Sequence, residues 1–289
     1  MVALSFLVVV AVASSDDAPF DAALAAEGAR GLAAARTARE GSGPRSLDAL
    51  GVALRVGCEL RVLDGNATLE LRAGRRRRRF DVAAPCAGPW PACGRGAPET
   101  PLLCAVSSPR SAARRGRAPL ALVTSYSDFG FFHTFLRWAL NRLCHADLRG
   151  LPTYAFVGAP LARGAPPRAP GCPSAVEERL GHTSKALSLY ALGVLGVADA
   201  LLFLDSDAWV AGAAFGRPFL ETFAAAARGG EVALPAPCYR QFFGAAVLLA
   251  TATPWAVGFL ARWFRLRSAP RKRPRISRNA KPLPLGRFG

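Results

Sequence analysis

Hydrophobic residues fall along this chain in blocks of different period. Residues 1–13 are almost wholly apolar, and residues 20–40 are Ala-rich with a thin apolar pattern that stops at Gly41-Ser42-Gly43-Pro44. Alanine favours helix, so the second block predicts a helix, and its weak stripe suits a stem better than a core element. Residues 52–63 alternate in part between apolar and polar, Asp64-Gly65-Asn66 gives a turn signal, and residues 67–71 alternate again. Period-two alternation around such a turn predicts a β-hairpin. Residues 83–117 form a Pro/Gly-rich connector.

From Ala118 the blocks become longer and more apolar. Residues 118–128 read as a buried strand running into a polar loop at Thr124-Ser125-Tyr126-Ser127-Asp128. Residues 132–144 carry helical spacing in Phe135, Leu136, Ala139, Leu140 and Leu143. Residues 153–157 make a short strand, and 160–173 a loop. A helix then starts at Thr183 or Ser184, either of which can cap it, and runs to about Gly196. Asp199 opens a further strand, 241–249 supplies another, and Pro254 begins a helix through Trp263. The order strand, helix, strand, helix, strand predicts an α/β domain with a doubly wound sheet.

The strand opened by Asp199 ends Leu201-Leu202-Phe203-Leu204-Asp205-Ser206-Asp207-Ala208-Trp209-Val210. A continuous apolar run of strand length predicts a strand covered on both faces. In open α/β sheets ligands gather beyond the carboxyl ends of such strands. Asp205 and Asp207 are two residues apart, so an extended chain turns both to one side, where they can share a hard divalent cation. The plainer alternative is an acidic turn after a core strand.

Charge changes this picture little. The formal net charge is +17, but Arg75–Arg79 supply five positive charges and residues 262–289 ten more with no acid. Residues 119–261 hold ten basic and nine acidic side chains. Of 37 basic residues only Lys185, Lys272 and Lys281 are lysines. A strong bias to Arg, Ala, Gly and Pro follows nucleotide composition as readily as selection for charge, so no specific nucleic-acid partner is inferred. The arginine run reads first as a solvated loop, with protease processing or anionic glycans as alternatives. Residues 267–289 read as a disordered basic tail.

The N-terminal apolar stretch is shorter than the about 20 residues a membrane span needs. With Ala11-Val12-Ala13 as a cleavage site it fits a signal peptide, or a short anchor giving membrane association. Asn66-Ala67-Thr68 is an N-glycosylation sequon, and the seven cysteines suit an oxidising compartment. Cys58, Cys86, Cys93 and Cys104 are enough for two disulfides of unassigned pairing. Cys144, Cys172 and Cys238 read as buried thiols or one disulfide, and His133, His145 and His182 as structural or capping residues. The segments are therefore a signal or anchor (1–13), a stem (14–44), a cysteine-containing β-rich region (45–117), an α/β domain (118–266) and the tail (267–289).

Three blocks resemble nucleotide-sugar glycosyltransferases of the GT-A fold, most nearly the retaining galactosyl and mannosyl transferase group. They are Ser184-Lys185 with the helix leading to Asp205-Ser206-Asp207, then Phe242-Phe-Gly-Ala-Ala-Val-Leu-Leu249, then Thr253-Pro254-Trp255 with Phe259, Leu260 and Trp263. The resemblance spans residues 119–264. It implies a GT-A-like Rossmann-type mixed sheet flanked by helices, and transfer of a hexose, with retention, from a UDP- or GDP-linked sugar to a glycan or protein acceptor in the Golgi lumen or outside the cell. It implies Mn2+ or Mg2+ held by Asp207 and Asp205, since a diphosphate leaving group needs its charge neutralised. Thr124, Ser125, Tyr126, Lys185, Asp205, Ser206, Gln241 and Gly244 would line the donor site. Gly244 and Ala245 stand where that group has Asn or Ser, so one sugar hydrogen bond is not expected.

Two other classes compete. A haloacid-dehalogenase-like phosphatase would use Asp205 as nucleophile, but it needs Thr or Val where this chain has Trp209, and a later acidic motif where only Glu221 and Glu231 occur. A non-catalytic binding protein of GT-A-like fold is the stronger rival, because no His follows His182 to complete a metal site.

Overall fold

The computed structural model of the chain describes residues 8–11, 18–37, 45–63, 68–73, 76–81, 100–107, 117–127, 129–158, 175–210, 232–235 and 247–268. In chain order these form β1 (Val8–Ala11), α1 (Ala18–Thr37), β2 (Arg45–Ala49), β3 (Val52–Leu63), β4 (Thr68–Ala73), β5 (Arg76–Asp81), β6 (Leu102–Ser107), β7 (Ala118–Tyr126), α2 (Phe129–Thr134), α3 (Leu136–Arg149), β8 (Thr153–Val157), α4 (Ala175–Leu195), β9 (Ala198–Leu204), β10 (Val232–Pro235), β11 (Val247–Thr251) and α5 (Pro254–Ser268). The strands build one curled mixed sheet in the order β1-β10-β11-β9-β7-β8-β6-β3-β4-β5, with β2 on β3.

At its centre β8, β7 and β9 are parallel, with β7 in the middle. Side-chain alternation divides β7 and β9 between two cores. Ala121, Val123, Leu201 and Phe203 meet α4 and α5 on one face, while Leu120, Leu122, Leu202 and Leu204 pack on the other face with Ala146 of α3. Both faces are covered, which is why these strands read as unbroken apolar runs. Residues 183–194 of α4 are buried all round, because α4 lies between the sheet and a further layer of α5 and α1. This helix starts at Ala175, so Thr183 and Ser184 are buried side chains inside it and not its cap. Thr253 caps α5 instead, its Oγ1 accepting from the Ala256 N–H at 3.3 Å, with Pro254 in the first turn.

The Ala-rich helix anticipated as a stem joins this packing. Leu24 of α1 is buried, and Trp255 Nε1 donates to Asp21 at 2.7 Å. A Cβ on Gly258 would lie 1.9 Å from the Leu24 carbonyl oxygen, and one on Gly28 1.7 Å from that of Pro254. The two backbones therefore touch where each helix presents glycine, and a contact face of small residues leaves little apolar stripe to read.

The hairpin predicted over 52–71 is β3 and β4, with Leu63 paired to Thr68. Before it, β2 turns into β3 through Leu50 (φ 58°) and Gly51 (φ 79°), the two positive φ values of a type I′ turn. At Gly57 (φ 82°) the pairing of β3 with β6 shifts by one residue. This bulge carries the buried stripe of β3 from the α4 face at Leu54 and Val56 to the α3 face at Cys58, Leu60 and Val62.

Three sequence expectations are corrected here. Arg76–Asp81 is an edge strand antiparallel to β4, not a solvated loop. The connector contains the central strand β6, whose Cys104 is bonded to Cys58 on the neighbouring strand. Cys144 is a free, exposed thiol and not a buried one. Strand β1 pairs with β10 along residues 8–11 of the predicted signal segment, and no described helix is long and apolar enough to cross a membrane. Asn66, Cys86, Cys93, Cys172, Cys238 and residues 269–289 of the basic tail lie outside the described residues.

Candidate functional site

The carboxyl ends of β7 and β9 lie side by side, because β7 leads through α2 and α3 to β8 on one side, and β8 leads back through α4 to β9 on the other. In open α/β sheets the carboxyl ends of such neighbouring parallel strands are the usual ligand position. The Asp205-Ser206-Asp207 turn follows β9 directly into this place.

On the α4 side, Lys185 Nζ donates to Asp205 Oδ2 at 2.6 Å, while the Ser206 N–H donates to Oδ1 at 3.1 Å. The lysine is almost fully buried, and its ammonium also lies 5.6 Å from the centre of the Phe203 ring. A buried cation requires such a counter-ion, and an aromatic face adds to its stability. Next to Lys185 in α4, the Ser184 hydroxyl donates to the Ser125 hydroxyl at 3.1 Å. Lys185, Asp205, Ser184 and Ser125 thus form one polar cluster. Asp207 is exposed, and Trp209 keeps 59% of its surface in solvent.

Alternation on β7 separates the three residues expected to act together. Ser125 faces the α4 cluster, whereas Thr124 and Tyr126 point to the α3 side. There Thr124 and Thr153 line a mainly apolar cavity with Phe132, Leu136 and Leu140, in which a water molecule's centre has about 20 Å³ of room. Neither threonine Oγ1 has a hydrogen-bond partner among the described residues. The Tyr126 hydroxyl accepts from Arg142 Nη2 at 2.9 Å. Gln241 and Gly244 lie outside the described residues.

Asp205 and Asp207 supply hard oxygen donors, and Mg2+-like ions are commonly held by one or two carboxylates together with phosphate oxygens and waters. The carboxylate chemistry suits a cation that arrives with a phosphate ligand, but the two side chains do not turn to one side as the sequence predicts: Asp205 is bonded to Lys185 on the α4 side, and Asp207 is exposed to solvent. No group of three or more His, Cys, Asp or Glu side chains suited to a metal occurs among the described residues, so the pair alone does not make a closed metal cage. Arg142 and Asn141, which hold the backbone of this turn, escaped the sequence reading. Both sit in the predicted helix 132–144, and only their packing reveals what they touch. Compared with known proteins, the chain matches no family model, no curated protein and no solved structure.

Proposed function

We propose that this chain is a glycosyltransferase of GT-A-like, Rossmann-type fold that moves a hexose, with retention, from a UDP- or GDP-linked sugar to a glycan or protein acceptor in the secretory pathway. The observation that carries this reading is the position of Asp205-Ser206-Asp207 at the carboxyl end of β9, beside β7, with the buried Lys185 bonded to Asp205. Asp207, with Asp205, would hold Mn2+ or Mg2+, which supplies neutralisation of charge on the departing diphosphate. Lys185 brings a compact positive charge to the same strand end for phosphate oxygens, and Ser125 and Ser184 bring hydroxyls that can donate to the nucleotide. The exposed Trp209 ring, two residues from Asp207, offers an apolar face to a sugar.

The test is transfer from UDP- and GDP-sugars with Mn2+, comparing the wild type with Asp207→Ala. Asp207 is exposed, so its removal leaves the fold intact. Asp205→Ala is the poorer variant because it strands a buried lysine, at a cost of about 3–5 kcal/mol in stability. Asp207→Ala is expected to lose at least about a hundredfold in rate, the scale set by several kcal/mol of charge stabilisation. Equal rates in both proteins would remove the metal role from Asp207.

A second reading is favoured by the Lys185–Asp205 ion pair itself. A carboxylate already neutralised by lysine, with no third metal-ligating side chain nearby among the described residues, also suits a non-catalytic nucleotide- or glycan-binding protein. Saturable UDP binding without turnover would select that reading.

A further inference from the structure

The turn that carries both aspartates is held from the α3 side by two consecutive side chains. Arg142 is only 3% exposed. Its Nη1 donates to the carbonyl oxygens of Asp205 and Ser206, each at 3.0 Å, and of Ala208 at 2.6 Å, while Nη2 donates to Tyr126. Asn141 forms a reciprocal pair with Val210: its Nδ2 donates to the carbonyl at 3.2 Å and its Oδ1 accepts from the N–H at 2.8 Å. The Ala208 N–H closes the turn on the Asp205 carbonyl at 3.0 Å.

A buried guanidinium ordinarily meets a carboxylate. Arg142 has none among the described residues, and its charge is met by backbone carbonyls and one phenol. Carbonyls drawn toward α3 fix the peptide planes from Asp205 to Ala208. The Asp205 carboxylate then leaves toward α4, and Asp207 leaves toward solvent. One guanidinium nitrogen, Nη1, reaches all three carbonyls while the other, Nη2, reaches Tyr126, and lysine, with a single nitrogen on a flexible stem, cannot reproduce this two-nitrogen planar arrangement.

We infer that Arg142, supported by Asn141, is a positioning residue that sets the shape of the 205–210 turn and so the placement of its two carboxylates. What those carboxylates hold rests on the nucleotide-sugar reading; the shape of the turn does not.

The experiment compares Arg142→Met, Arg142→Lys and Asn141→Ala with the wild type, by amide hydrogen exchange and by titration with UDP in the presence and absence of Mn2+. Losing a bond to a charged donor corresponds to about tenfold or more. Exchange at Ala208 and Val210 is expected to accelerate by at least about that factor, while strand amides such as Leu122 and Leu202 change no more than overall stability requires. Arg142→Lys, which keeps the charge, covers the case in which the Met variant does not fold, and it is expected to accelerate the same two amides. If the wild type binds UDP more tightly with Mn2+, that Mn2+-dependent gain is expected to shrink about tenfold in the Lys variant. Unchanged exchange at Ala208 and Val210 in Arg142→Lys, or uniform acceleration across the sheet, overturns the inference. A wild type that ignores UDP and Mn2+ defeats the nucleotide-sugar reading, and the exchange result still decides the role of Arg142.

Discussion

Glu70 lies under the side chains of Arg72 and Arg79, with Arg79 Nε 3.1 Å from its Oε2 and Arg72 bonded to its other oxygen. The register sets Arg79 directly across from Glu70 and Arg77 across from Arg72. Like charges directly opposite repel, so the edge strand depends on this one carboxylate. Hydrogen bonding to Arg72, reinforced by Arg79, holds the Glu70 carboxyl below its usual range despite the covering of the side chain. A carboxyl whose pKa is depressed on folding contributes stability that is present above its unfolded value, about 4.3, and is lost as pH falls through the folded one. Thermal melts of wild type and Glu70→Gln should therefore differ at pH 7 and converge as pH drops below about 4. A gap that stays constant to low pH would show that Glu70 does not act through its charge. The same scale separates what was legible at the site from what was not. Lys185 and Asp205 announced themselves as a lone lysine in a neutral region and an acid at a strand end. Ser125 was legible, but its neighbours Thr124 and Tyr126 were grouped with it when alternation sends them to the opposite face. Arg142 gave no signal, because its acceptors are carbonyls 63–66 residues later.

At the scale of elements, the crossing of α1 and α5 is the contact least tolerant of change. Gly258 sits against the Leu24 carbonyl, which is backbone and cannot swing aside. Gly258→Ala should push α1 away and cost on the order of 1–3 kcal/mol, the scale of overpacking in a well-filled core. Chemical denaturation checks the loss, and proteolysis should open first within α1. An alanine variant as stable as wild type would mean that α1 does not dock there. Elements with a clear apolar pattern were legible because that pattern is driven by burial: β7, β8, β9, α3 and α5 fall close to their predicted places, and the β3–β4 hairpin follows its turn. Elements whose pattern is masked or atypical were not. The apolar run of β6 was masked by the Pro- and Gly-rich residues around it. In β5 the arginines have little intrinsic strand preference, yet a charged strand is well suited to a sheet edge, where it discourages pairing with another chain. The small-residue face of α1 hid its docking for a related reason, since close backbone contact requires the absence of the side chains from which a stripe is read.

At the scale of the molecule, the N-terminal β-rich region and the parallel strands are parts of one sheet, joined where β6 lies between β8 and β3. Strands β4 and β5 hang from β3, so the β3–β6 seam carries that end of the sheet. Cys58 and Cys104 stand at paired positions across this seam, both buried, and their bond closes a separation of 46 residues. Closing a loop of that size removes roughly 4 kcal/mol of chain entropy from the unfolded state. A bond of this kind forms and persists in an oxidising compartment, which is what a secretory-pathway enzyme would meet. The double variant Cys58→Ala/Cys104→Ala should lose about 2–4 kcal/mol in denaturant titrations, and the wild type should approach the variant's midpoint when reductant is added. The variant itself should not respond to reductant. If wild type and variant share one midpoint without reductant, the bond does not hold the seam, and the packing of Cys58, Leu60, Val62, Leu102 and Cys104 against the α3 face suffices. If the gap appears as expected, the β-rich end of the sheet is secured by a covalent link of the kind that an oxidising environment favours.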